Sequence, residues 1–174
     1  MSLGALWGGG EEADRAWRFL MVSRVPRTVA LLLAGMSLAV AGLIMQMLVR
    51  NRYVEPTTAG TVESATLGIL VITLLAPDTP VIGKMLTATA FALAGTLLFL
   101  ALLRRVPLRT PFIVPLIGLI LGGVIHAVTT FVAFRFDLLQ SLHAWTTGDF
   151  SGVLRGRYEL LWIGFALALS LIHI

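Results

Sequence analysis

Charged side chains are nearly absent from four long stretches of this chain and crowd into the intervals between them. Residues 29–48 carry no charge, and Ser37 and Gln46 are their only polar side chains. Residues 61–76 form a shorter run with Glu63 near its start; residues 85–103 and 112–134 are longer again. A helix rising about 1.5 Å per residue needs about 20 apolar residues to cross a hydrocarbon core of about 30 Å. The pattern therefore predicts four membrane-crossing helices, the second one short and preceded by irregular backbone. The turn "APDTP", with two prolines and an aspartate, separates the second from the third. "RTPFIVP" leads into the fourth, where Pro111 suits a first helical turn and Pro115 implies a local adjustment.

Residues 135–157, "RFDLLQSLHAWTTGDFSGVLRGR", are too polar to span. Within them "DLLQSLHAW" has apolar residues at helical spacing, which predicts a short amphipathic interfacial helix ending near Gly148. A further apolar run starts at residue 158. Residues 1–28 contain Glu11, Glu12 and Asp14 where a signal peptide would have its apolar segment, and they read as a loop leading into the first span.

Composition agrees with that pattern: 57% of residues are hydrophobic, 13% are charged, and the mean hydropathy is +0.92. This is an integral membrane protein, all-α and polytopic. The net charge of +4 does not point to a nucleic-acid partner, because the arginines stand at the ends of apolar runs, where membrane lipid is their neighbour. Without cysteine there is no disulfide, thiolate metal site or thiol nucleophile. "VIGKML" is not a phosphate-binding loop, and no zinc-protease motif or serine triad set is present. The expectation is no enzyme, no catalytic residue, no metal and no cofactor bound by this chain.

Polar groups inside spans cost free energy in lipid and face protein or a water-filled path. Gln46 and Asn51 flank the interval between the first two spans, where they either satisfy loosened backbone or contact substrate. Glu63 is either a cap for free N–H groups or the carboxylate of a proton-coupled carrier. His126, one turn past Gly122, is either a bridging side chain or a ligand. The pairs Gly35 and Ala39, Ser37 and Ala41, and Gly118 and Gly122 are each four residues apart, the spacing of close helix contacts.

"ALALSLIHI" ends in mid-helix without a polar terminus. Residues 169–174 can be back-translated as CTG TCT CTT ATA CAC ATC, which looks like a transposon end used in sequencing libraries. They are expected to be adapter read-through, and His173 carries no functional weight.

The segment "RVPRTVALLLAGMSLAVAGLIMQMLVRN" resembles the FecCD-type permease subunits of iron-siderophore and vitamin B12 (cobalamin) ABC importers. Arg24, Pro26, Arg27, Gly35, Gly42, Gln46, Arg50, Asn51, Pro56 and Gly60 match that pattern in order, and Trp145, Gly148 and Asp149 match a later W-x-x-G-[SD] segment. Arg52 stands where the pattern usually has proline, and Thr57 where glycine is common. "NRYVEPTTAGTVESATLGIL" looks most like the branch handling ferric siderophores, of catecholate type.

The resemblance implies a type II ABC importer permease fold truncated to about five of ten helices, in a bacterial cytoplasmic (inner) membrane. It divides the chain into an external docking segment (1–28), four spans (29–134), an interfacial helix and loop (135–157) and the start of another span (158–168). It implies a second permease subunit, two cytoplasmic ATPase subunits that use ATP, and a substrate-binding protein. Arg24 and Arg27 would dock acidic side chains of that binding protein. The helix from Leu138 to Trp145 would gate a path lined in part by residues 112–134. An ion-coupled secondary transporter using Glu63, or an inactive fragment, are the alternatives. Cation placement disagrees with this topology. Arg50, Arg52, Arg104, Arg105 and Arg109 on one side face Arg15, Arg18, Arg24, Arg27, Lys84, Arg135, Arg155 and Arg157 on the other. The larger number is expected in the cytoplasm, which would put Arg24 and Arg27 inside; the resemblance puts them outside, and that placement is taken as the expectation.

Overall fold

The computed structural model describes residues 10–107, 110–148, 150, 153 and 160–172. Among them every regular element is helical: α1 Glu11–Phe19, a π-helical segment Leu20–Arg24, α2 Val25–Val49, a 3-10 turn Thr57–Ala59, α3 Thr61–Leu75, α4 Val81–Leu103, α5 Ile113–Arg135, α6 Leu139–Thr146 and α7 Leu160–Ile172. The helices through residues 13–49, 81–103 and 113–135 are long and apolar enough to cross a membrane, whereas α3, at 15 residues, is shorter. The chain is thus an all-α bundle with transmembrane helices.

The segment expected to be a loop up to residue 28 is helical from Glu11 onward. Acidic residues open α1 and basic ones close it, the order that the helix dipole favours, and Arg15 pairs with Glu11 one turn earlier at 2.8 Å. Pro26 has no N–H to give to the preceding turn, and the π-helical segment directly before it absorbs that defect without ending the helix.

Two compact units divide the chain: residues 1–40 with 149–174, and residues 41–148. In the first, Pro26, Ala30 and Leu33 are buried at helical spacing while Leu31, Leu32 and Met36 on the other faces are exposed. In a membrane those exposed leucines meet lipid rather than water.

In the second unit α3 lies between α4, which runs antiparallel to it, and α5, which runs parallel. Small residues bring these helices close. A Cβ on Gly95 would collide with the Ser64 hydroxyl, one on Gly68 would press on the Phe91 ring, and one on Gly118 would run into the Thr58 carbonyl. Ser64 and Gly68 are themselves four apart on α3, a small-residue pair that the sequence contains but that was not among those singled out. Gly35 and Gly42, by contrast, have open space beside them. Hydroxyls inside the spans are satisfied on their own helices: Thr66, Thr73, Thr87, Thr96 and Thr129 each donate to the carbonyl one turn back, at 2.7–3.0 Å.

Apolar clusters seal this unit at both ends. Met45, Val54, Ala59, Phe99, Leu103 and Val114 gather the end of α2, the end of α4 and the start of α5. Leu70, Ala133 and Leu142, with Leu74, Val132, Leu138 and Trp145 around them, join α3 and α5 to α6 at the other end. Pro111 and Pro115 exchange the parts expected of them: α5 starts at Ile113, so Pro111 precedes it and Pro115 occupies its first turn. There a missing N–H costs no helical bond, because first-turn donors have no intrahelical acceptor.

Candidate functional site

Where α2 ends, Arg50 adopts a left-handed conformation, φ 53°, and turns the chain. Gln46 and Asn51 hold that turn. The Gln46 side-chain amide donates to the Arg52 carbonyl at 3.1 Å. Asn51, buried to 8% exposure, donates to the Pro111 carbonyl at 2.6 Å and accepts from the Tyr53 backbone N–H at 2.9 Å. Both side chains therefore satisfy backbone groups released from regular structure, and Asn51 ties the end of α2 to the approach to α5.

Glu63 lies in the first turn of α3, but α3 has no side-chain capping bond, so the capping role considered for Glu63 is not the one it plays. The glycine at position 60, φ 75°, ends the preceding 3-10 turn, and the Ser64 N–H donates to its carbonyl. Glu63 points instead across to α5, against Gly122, where an added Cβ would lie 3.3 Å from the carboxyl carbon. Its Oε2 is buried without a hydrogen-bond partner among the described residues. His126, one turn further along α5, is exposed and reaches Thr130 at 3.4 Å. Glu63 and Gly122 are brought together; His126 does not join them. No group of three or more His, Asp or Glu side chains suited to a metal occurs among the described residues.

The short helix expected before Gly148 is α6, and Gly148 follows it in a left-handed conformation, φ 65°. Leu142 is buried, and Leu138 and Trp145 flank it on the same side, against the ends of α3 and α5. Positions 138, 142 and 145 form one helical stripe, so the amphipathic pattern read from the sequence is the one α6 uses for docking. Asp149, Arg155 and Arg157 lie outside the described residues, as do Arg109, His173 and Ile174.

Arg24 and Arg27 stand one turn apart at the start of α2. Arg24 is exposed, with its guanidinium 5.9 Å from the centre of the Phe19 ring, and Arg27 is half-buried.

A profile of the FecCD transport family matches residues 2–174. The chain belongs to that family. Among curated FecCD-like relatives, it is 45% identical over 150 residues to the petrobactin import system permease protein YclN of Bacillus subtilis, covering 86% of this chain and 48% of that protein. It is 49% identical over 142 residues to the petrobactin import system permease protein FatD of Bacillus anthracis, covering 82% and 42%. Identity to the vitamin B12 import system permease protein BtuC of Serratia proteamaculans is 36% over 152 residues, covering 85% and 45%. The chain spans about half the length of the curated relatives it matches.

Tyr53 and Phe112 were not among the residues singled out from the sequence. Tyr53 and Phe112 stack with ring centres 5.2 Å apart, although they are far apart in the chain. Aromatic residues at membrane-span ends were the available signal.

Proposed function

We propose that this chain is part of the permease subunit of an ATP-driven importer, in a bacterial cytoplasmic membrane, for a ferric siderophore of the petrobactin kind. The observation that carries this reading is the FecCD match over residues 2–174 together with two petrobactin permeases as relatives at 45% and 49% identity. The bundle contributes walls and a docked short helix, and chemistry is left to other chains. A binding protein delivers the loaded siderophore, two ATPase subunits hydrolyse ATP, and a second permease subunit completes the path.

The 41–148 unit taken alone supports an orientation. Arg50, Arg52, Arg104 and Arg105 lie at the end formed by the close of α2 and α4, whereas Lys84 and Arg135 lie at the opposite end. Within this unit the positive-inside rule favours a cytoplasmic position for Arg50 and Arg52, the reverse of the whole-chain pattern. The FecCD pattern, which has its paired arginines at the external face, is the support for placing Arg24 and Arg27 outside. Arg24 and Arg27, three apart and so on neighbouring positions of one helical face, are suited to bind paired carboxylates of the binding protein.

The test is uptake of radio-iron-labelled ferric petrobactin by the complete gene in a strain without its own permease. Uptake is expected with wild type, and Arg24→Glu with Arg27→Glu should lower it at least tenfold and weaken binding-protein association. Unchanged uptake and association in the double variant reject the docking role, and uptake of labelled cobalamin in place of the siderophore rejects the substrate. The ion-coupled alternative rests on the buried Glu63 carboxylate. Uptake abolished by collapsing the proton gradient while ATP is maintained would select it.

A further inference from the structure

We propose that the cavity where α2 ends and α5 begins binds the headgroup of an anionic phospholipid. The cavity has a volume of about 750 Å³ and is lined by Arg50, Arg52, Tyr53 and Phe112, with Val49, Val114 and the buried Asn51 behind them. This site is independent of which substrate the permease carries.

Three positive features meet there. The Arg50 guanidinium has no hydrogen-bond or ion-pair partner among the described residues. Arg52 spends one terminal nitrogen on the Tyr53 hydroxyl, at 2.8 Å, with its guanidinium carbon 5.0 Å from the centre of that ring. Its remaining N–H groups have no partner among the described residues, and a guanidinium offers five. The N-terminal pole of α5 adds partial positive charge, because the cap residue Phe112 lines the cavity and gives no side-chain capping bond. The C-terminal pole of α2 opposes this, but two of its last carbonyls are already occupied: Met47 accepts from the Arg50 N–H and Gln46 from the Asn51 N–H.

The surroundings reinforce the sign. Arg104 and Arg105 follow α4 directly, and the last turn of α4 packs in the same apolar cluster as Met45 and Val114. Glu55, the acidic residue of the same interval, accepts a hydrogen bond from Thr57 at 2.6 Å. The walls are fixed, since Asn51 bonds to the Pro111 carbonyl and Tyr53 stacks on Phe112.

A lipid fits this lining better than a soluble anion does. Val49, Tyr53, Pro111, Phe112 and Val114 make much of it apolar, and a free phosphate gains nothing from such a wall. Phe112, Leu116 and Leu48 are more than half exposed beside it, which gives acyl chains an apolar track away from the headgroup. Basic pockets between helix ends at the membrane surface are suited to anionic headgroups, and tyrosine belongs at that depth.

The complete permease, purified in detergent, would be examined by native mass spectrometry with phosphatidylglycerol and, in parallel, phosphatidylcholine. Wild type should retain phosphatidylglycerol at least tenfold better than phosphatidylcholine, and added salt should erode that preference. Arg50→Gln with Arg52→Gln should lower phosphatidylglycerol retention at least fivefold; Arg135→Gln, at the other end, should leave it unchanged. The charge-keeping pair Arg50→Lys and Arg52→Lys should retain half or more, and it serves if the glutamine pair fails to fold. Equal retention of both lipids, retention that ignores salt, or no loss in the glutamine pair overturns the proposal. Displacement of the lipid by an equal concentration of inorganic phosphate would make this a soluble-anion site. Loss of ATPase association with unchanged lipid retention would make it a protein contact.

Discussion

Both ends of the 41–148 unit hold an apolar cluster, but they differ in what is added to it. At the end where α2 stops, Asn51 and Gln46 bond to backbone carbonyls, aromatic rings stack, and Arg50 and Arg52 line an open cavity. At the end where α6 docks, Leu142 is buried on Leu70 and Ala133, with Leu138 and Trp145 at its sides. A polar clamp holds its partners through directional bonds, and it leaves the arginines beside it free for other ligands. An apolar dock is non-directional, and α6 is held by the summed burial of its stripe. The contrast teaches that directional bonds and charge are added at the first end, whereas the second is held by apolar burial.

The largest expected effect lies between the two ends. Gly118→Leu places a side chain where the Thr58 carbonyl already sits, and backbone cannot yield as a side-chain tip can. It should leave no folded permease, read as loss of the monodisperse peak on gel filtration in detergent. A well-folded variant would show that the contact between α5 and the 3-10 turn is looser than described.

Leu142→Ala comes next, with about 2–3 kcal/mol of destabilisation from the buried leucine, read as a lower Tm in detergent. It should also reduce uptake while leaving phosphatidylglycerol retention as in wild type. Lost lipid retention would show that the ends act together and undo the contrast drawn between them.

Asn51→Leu should cost less, about 1 kcal/mol, because hydrogen bonds in membrane bundles contribute modestly even when buried. Its expected signature is selective. The Pro111 carbonyl and the Tyr53 N–H lose their partner, so lipid retention should fall together with Tm. A fall in Tm alone would separate the clamp from the cavity.

Much of the bundle was readable in the sequence because hydrocarbon imposes a simple demand. A span must be long, apolar and internally hydrogen-bonded, and residues 29–48, 85–103 and 112–134 satisfy it on their face. The stripe of Leu138, Leu142 and Trp145 was readable for the same kind of reason, as apolar residues at helical spacing must be covered. The helical start of the chain was missed because Glu11, Glu12 and Asp14 were read as marks of a loop, whereas they open a helix that a π-helical segment carries past Pro26. Glu63 was undecidable in sequence: a carboxylate in a first turn suits a cap equally well, and only the neighbouring helix determines where it points.

Composition and periodicity by themselves determined that this protein lies in a membrane as an all-helical bundle, and the order of its motifs indicated the family. Local physics suffices there, since the solvent around each span sets its length and polarity. Which residues from distant spans meet was decided only by the tertiary structure. Ser64 against Gly95, Glu63 against Gly122, Asn51 on Pro111 and Tyr53 on Phe112 are contacts between segments whose pairing depends on helix order and register. The charge pattern gives the clearest case. Along the chain the cations pointed one way, and within the compact unit, to which Arg15, Arg18, Arg24 and Arg27 do not belong, the majority lies at the other end.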